Sequence, residues 1–256
     1  MSVLQTGART LDVVQLVASR GEVSVTEVAG ALQISPSMAH RLLNTCLTKG
    51  FLRQDFSGGP YSVGGTLRQI ADDVNRDKSM RAVLAPLLRK ATRELSESCS
   101  IAVLEGRNIR FLLSEESPNL VTISTPIRRV APAFSTAAGR ALLATLDDAD
   151  IEALFRDMDW ETKTASEVHN PQGVHSFSDL QAELQRTRQR GWAVQAGESQ
   201  VGMAAVAMAL VDGAGVGVAS VTVTVPQIRL HKRSDAVALV NQLRPHQQQM
   251  QKRLAR

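Results

Sequence analysis

A chain of 256 residues that is 43% hydrophobic and 21% charged is long enough for about two domains of roughly 150 residues, and too apolar and varied to be disordered or fibrous. Its formal charge of +4 is unevenly spread: residues 1–75 are neutral, residues 76–226 carry −2 and residues 227–256 carry +6, so the basic balance is not by itself the footprint of a nucleic-acid-binding N-terminal domain. Two widely separated cysteines, Cys46 and Cys99, exclude a disulfide framework and an all-cysteine zinc site, and no uncharged apolar run reaches the ~18–20 residues of a membrane span. A cytoplasmic protein without membrane contact is expected.

Leu11, Val14, Leu16 and Val17 recur at helical spacing up to Gly21, which predicts a first helix. Ser24 and Glu27 form a capping-box pair ahead of Val28, Ala29 and Leu32, placing a second short helix from about Val25. Ser35-Pro36 supplies an N-cap and a proline at the first helical position, and Ala39, Leu42, Leu43, Cys46 and Leu47 give the third helix its apolar stripe. The join Leu32-Gln-Ile-Ser-Pro36 is short enough only for a tight turn, the spacing of a helix-turn-helix. Phe51–Asp55 and Tyr61–Val63 around Ser57-Gly58-Gly59 read as a β-hairpin, a wing.

Between its buried positions the third helix presents Ser35, Ser37, His40, Arg41 and Asn44, hydroxyl, guanidinium and amide groups suited to phosphate oxygens and base edges. From Ser35 to Arg68 the cations are Arg41, Lys49, Arg53 and Arg68 and the single acid is Asp55. The domain is neutral, but this stretch is locally positive. With Arg53 on the wing, these residues are the candidate DNA contacts.

Leu67, Ile70, Ala71 and Val74 mark a linker helix through the charged stretch Asp72–Arg81, and an amphipathic helix follows with Val83, Leu84, Leu87, Leu88, Ala91 and Leu95 on one face. Strands are predicted at Cys99–Leu104, Ile109–Leu113 and Leu120–Ser124, and helices at Ala137–Thr145 and Asp148–Phe155. A polar loop occupies Thr164–Phe177, and a helix capped by Ser178 runs to Arg190. Strands return at Trp192–Val194, Ala204–Val211 and Val216–Val225, and a basic, Gln-rich helix with a potential break at Pro245 closes the chain. Antiparallel strands with segregated helices predict an α+β sensor-like domain.

These residues resemble a known family. Glu27-Val-Ala-x-x-Leu32, Ser35-Pro-Ser-Met-Ala-His-Arg-Leu-Leu43, Gly50-Phe-Leu52 and Gly59-Pro-Tyr-Ser-Val-Gly64 are similar, in order and spacing, to the winged helix-turn-helix of IclR-type transcriptional regulators. Thr136-Ala-Ala-Gly-Arg-Ala-Leu-Leu-Ala144, Arg190-Gly-Trp-Ala193, Glu198-x-x-x-Gly202 and Val223-Thr-Val-Pro226 extend the likeness along nearly the whole chain. The resemblance implies a winged helix-turn-helix DNA-binding domain at residues 1–65, a linker helix at 66–78, and a GAF-like effector-binding and oligomerisation domain at 79–256. It implies a homodimer or dimer of dimers that binds double-stranded operator DNA under the control of a small organic acid, with a repressor favoured over an activator.

Carried over residue by residue, the resemblance places Ala138 and Gly139 beside the ligand carboxylate at a helix start, where free amides favour an anion. Ser135 and Thr136 could add hydroxyls, and the two-residue spacing of Thr222 and Thr224 points both to one sheet face. Gln195 and Ala205 stand where members that bind small keto acids carry an acid and a cysteine. With Phe134, Met203 and Met208 as candidate apolar lining, this leans toward an aromatic or larger acid. Met38 replaces the threonine usual in the recognition helix.

An enzyme with an N-terminal winged-helix module is the alternative. Gly213-x-Gly215-x-Gly217 is followed by β-rich sequence where a phosphate loop needs a helix. No Gly-x-Ser-x-Gly elbow occurs, and the five histidines His40, His169, His175, His231 and His246 make no close metal-ligand pair. No catalytic residues, cofactor or metal are expected.

Overall fold

The computed structural model describes residues 4–119, 130–160, 173–230 and 232–255, and the chain divides into two compact units, Met1–Lys78 and Ser79–Arg256. The predicted strand Leu120–Ser124 and most of the predicted polar loop, His169 included, lie outside the described residues, as does His231.

The first unit contains α1 (Gln5–Arg20), β1 (Glu22–Val23), α2 (Val25–Leu32), α3 (Pro36–Thr48), β2 (Leu52–Gln54) and β3 (Tyr61–Val63). Val13, Val17, Val28, Ala39, Leu42, Leu43, Cys46, Leu52 and Tyr61 share its core. The capping box forms: Ser24 Oγ accepts from the Glu27 amide at 3.3 Å and Glu27 Oε2 accepts from the Ser24 amide at 2.7 Å. Gln33 takes the left-handed conformation, φ 53°, which turns the chain sharply between α2 and α3. Strand β1, too short to show a sequence period, pairs with β3 to give a three-stranded antiparallel sheet of order β1-β3-β2. Gly64 seats the wing against the end of α3, because a Cβ there would stand 2.3 Å from the Gly50 carbonyl oxygen.

The predicted linker helix and its amphipathic successor are one helix, α4 (Gly65–Leu95). The charged residues between them form a solvated helix face instead of a break, since no glycine or proline interrupts the chain before Pro86.

The second unit holds a six-stranded antiparallel sheet of order β6-β5-β4-β9-β8-β7, built from β4 (Ser98–Glu105), β5 (Asn108–Glu115), β6 (Val130–Pro132), β7 (Ala193–Ala196), β8 (Met203–Val211) and β9 (Gly217–Pro226). Helices α5 (Ala137–Leu143), α6 (Asp148–Phe155), α7 (Phe177–Arg190) and α8 (Arg233–Leu254) complete it. One sheet face, with Ile101, Val206, Val221 and Val223, packs on Leu84, Leu88 and Ala91 of α4 and on Val240, Leu243 and Met250 of α8. The opposite side carries Phe111 with Leu142, Leu143, Ile151, Phe155, Leu180 and Leu184 of α5, α6 and α7. Helices thus cover both faces of an antiparallel sheet, an α+β architecture.

Two local expectations change and a third is met. The cap of α7 is Ser176, whose Oγ accepts from the Asp179 amide at 3.1 Å, so the helix starts a turn's fraction earlier than Ser178 would allow. Helix α8 continues through Pro245, because Val240, Leu243, His246 and Met250 stay buried on both sides of it and that packing outweighs one lost backbone bond. The glycine-rich segment after β8 is a hairpin turn, closed by the Asp212 amide on the Val216 carbonyl at 2.9 Å.

Candidate functional site

Helix α3 buries Ala39, Leu42, Leu43 and Cys46 and leaves Ser37, His40, Arg41 and Asn44 exposed. Its 3.6-residue period therefore gathers the candidate DNA contacts on one face. Thr45 and Thr48, also exposed, continue the stripe. The sequence reading passed over them although they stand four positions from Arg41 and Asn44, whose carbonyls their hydroxyls engage at 2.8 Å. Ser35 sits at the helix start with its Oγ accepting from the Met38 amide at 3.3 Å, so its first role is the cap. On the wing, exposed Arg53 forms an ion pair with Asp55 at 3.1 Å, a surface contact weak enough for a phosphate to replace.

In the second unit, cross-strand register assembles the effector candidates. Ser100, Thr222, Ala207 and Ala193 lie opposite one another across four strands, and Ser98, Thr224, Ala205 and Gln195 form the adjacent row. Directly opposed residues share a face, and this face meets Ala137 and Ala141 of α5. The hydroxyls Ser100 Oγ and Thr222 Oγ1 are buried and have no hydrogen-bond partner among the described residues. A buried hydroxyl without a partner costs free energy, so the pair marks a place where a polar ligand group would be welcome.

Other candidates have structural duties. Thr136 Oγ1 caps α5 by accepting from the Gly139 amide at 3.1 Å, and Ser135 Oγ donates to the Pro132 carbonyl at 3.3 Å. Gly139 is small because a Cβ would stand 2.2 Å from the Ala133 carbonyl oxygen. That backbone contact accounts for the glycine without a ligand, and Ala138 beside it packs into the core with Leu142 and Phe155. The ring of Phe134 meets Trp160 edge-on at 5.4 Å, so it belongs to an aromatic cluster. Met203 lies at the end of its strand opposite Pro226, on the same side as Ala205. Met208 does not line the site: it is an odd number of residues from Ala205 and packs in the core against α4 and α8.

A buried ion pair borders the site. Arg140, 2% exposed, donates through Nε to the Phe134 carbonyl at 2.7 Å and through Nη1 to the Val194 carbonyl at 3.0 Å. Its Nη2 lies 2.6 Å from Glu198 Oε2. Burial pushes the Glu198 carboxyl above the ordinary carboxylate range, against the opposing pull of Arg140. Gln195 Oε1 accepts from the Ser199 amide at 3.4 Å, joining the turn after β7 to the same polar patch.

Among the described residues no group of three or more His, Cys, Asp or Glu side chains could hold a metal ion, and no helix is long and apolar enough to cross a membrane. Comparison with known proteins places both units. The family model described as "Bacterial transcriptional regulator IclR C-terminal" matches residues 74–252, and that described as "IclR helix-turn-helix domain" matches residues 8–55. The HTH-type transcriptional regulator BhcR of Paracoccus denitrificans is 28% identical over 90% of this chain and 82% of its own length. The transcriptional repressor IclR of Escherichia coli is 26% identical over 89% and 82%. Among solved structures, an IclR homolog of Microbacterium hydrocarbonoxydans complexed with 4-hydroxybenzoate superposes with a TM-score of 0.59 at 19% identity, covering 98% of this chain and 99% of that one.

Proposed function

The chain belongs to the IclR family of bacterial transcriptional regulators, and from that premise we propose that it is a ligand-responsive cytoplasmic repressor that reads double-stranded operator DNA with α3 and is controlled by a small organic acid. It is a regulator and not an enzyme, as are the relatives that it matches over four-fifths of their length. The observation that carries the DNA reading is the exposed polar face of α3, set on a buried apolar one and capped by Ser35. Ser37, His40, Arg41 and Asn44 supply the contacts, and Arg53 joins them only by exchanging Asp55 for a phosphate.

The acid binds at the α5 face of the GAF-like second unit. Thr222 and Ser100 offer it unpartnered hydroxyls, and Thr224, Gln195 and Met203 border it. Ala193, Ala205 and Ala207 present only small side chains where this face meets Ala137 and Ala141 of α5, and the occupant we assign to it is an aromatic acid, a ligand class present in the Microbacterium structure. An effector alters DNA affinity only by preferring one of two arrangements of the assembly. Helix α4 begins directly after the wing and carries Leu84, Leu88 and Ala91 into the second unit's core, so a shift of α4 in a homodimer or dimer of dimers would change the spacing of paired reading heads.

Calorimetry with 4-hydroxybenzoate and glyoxylate tests the acid site, with Thr222→Val as the decisive variant. Removing an unpaired buried hydroxyl should leave the free protein's stability unchanged or raised, while affinity for the aromatic acid falls roughly tenfold. Tight binding of glyoxylate alone would overturn the aromatic assignment. A Thr222→Val protein that loses stability but binds unchanged would remove Thr222 from the site.

A further inference from the structure

The wing of the first unit ends in an exposed aromatic ring that the DNA reading above does not use. Phe56 is 66% exposed, whereas the other described phenylalanines are buried or half-buried. The tip is braced. Gln54 Nε2 donates to the Gly59 carbonyl at 2.7 Å across the hairpin, the Gly59 amide donates to the Phe56 carbonyl at 3.0 Å, and Gly58 takes φ +82° to close the turn. The ring lies over Gly59, which is buried although it stands at a tip; a Cβ there would meet the ring carbons Cε2 and Cζ at 2.9 Å. A side chain at residue 59 would push the ring out of this position.

This wing is poorly suited to contact by charge. Residues 54–60 contain no Lys or Arg, and the one cation on β2, Arg53, is paired with Asp55. What the hairpin presents, at the end of three-residue strands about 10 Å long, is an exposed aromatic ring resting on a braced turn. Such preorganisation lowers the ordering cost of binding. With α3 in the major groove, an apolar ring finds no partner on the phosphates, but it can pack on sugar edges and enter a base step in the neighbouring minor groove.

We infer that Phe56 is a minor-groove wedge that couples operator affinity to the deformability of the DNA beside the α3 contacts. Flexible pyrimidine–purine steps open and bend at lower cost than stiff A-tracts, so the wedge confers sequence preference at positions that no polar side chain touches. This inference rests on the assignment of the first unit as the DNA reader.

The test uses the full-length protein and a duplex that the wild type enriches from a random library, with affinity titrated against salt and bending read by circular permutation. Phe56→Ala should bind roughly tenfold more weakly, the effect of losing one aromatic–base contact. It should bend the duplex less and keep the wild-type salt slope, because no phosphate contact is lost. Phe56→Leu, still apolar, should retain most of the affinity and bend. Unchanged affinity and bend in Phe56→Ala would overturn the wedge and leave the ring a cap on its own turn. A loss accompanied by a shallower salt slope or a lower melting temperature would overturn it equally. Arg41→Ala, measured in parallel, separates the two failures: if only Arg41→Ala loses binding, the wedge falls and the DNA reading stands. If the wild type enriches no duplex, both fall.

Discussion

Arg140 shows how a residue can sit in a recognisable motif while its role stays hidden. Its neighbours Thr136–Ala144 were legible as a family helix, but apart from the nearby Phe134 carbonyl the groups that fix its guanidinium lie at Val194 and Glu198, more than fifty positions away, where no local spacing points. Gly139 is the reverse case: the resemblance places it beside a ligand carboxylate, while the carbonyl of Ala133 leaves no space for a Cβ there. The hydroxyls of Thr222 and Thr224 were placed on one face correctly from their two-residue spacing, whereas Ser100 was missed because it joins them only through strand register. Arg140→Ala leaves the carboxylate of Glu198 buried without its partner, and such losses cost about 3–5 kcal/mol. Urea unfolding should show that loss, and adding Glu198→Gln should recover part of it by removing the stranded charge. No recovery in the double variant would mean that the two carbonyl bonds of Arg140, and not the ion pair, provide the stability.

At the level of elements, signals confined to a few residues were readable. The capping box of α2 and the Ser35-Pro36 start of α3 formed as their residue types required. Parity along β8 is also legible: Met203, Ala205 and Ala207 alternate with Met208, which their spacing alone assigns to the other face. The joining of two expected helices into α4 was not readable, since a charged stretch is compatible with both a linker and a solvated helix face. Helix α2 gives a pH test. The backbone N–H and hydroxyl of Ser24 hold Glu27 below the ordinary carboxylate range. Its ionised form therefore stabilises the helix start above that range, and the contribution is lost as pH falls through the lowered value. The melting temperatures of wild type and Glu27→Ala should differ at neutral pH and converge on acidification. A gap that is constant with pH would show that the cap does not depend on the carboxylate's charge.

For the whole molecule, the charge arithmetic separates from the DNA reading. The first unit's recognition face is a local feature of a nearly neutral domain, and the cations of residues 227–256 lie largely on or beside α8, where Arg229 is already paired with Glu97 at 2.6 Å. The family and the α+β class were legible because several short motifs matched in order. The assembly was not, because subunit contacts leave no comparable local spacing. If an acid acts by moving α4, small-angle scattering should give different dimensions for the free and acid-bound assembly. Identical dimensions with altered DNA affinity would reject rigid repositioning. The proposed operator recognition depends most on α3, and the most direct measurement is the salt dependence of binding by wild type and Arg41→Ala to a duplex enriched by the wild type. A steep decline of affinity with salt in the wild type is predicted, together with much weaker binding and a slope shallower by about 0.9 in Arg41→Ala, one phosphate contact's worth. Equal affinity and equal slope in the two proteins would contradict it.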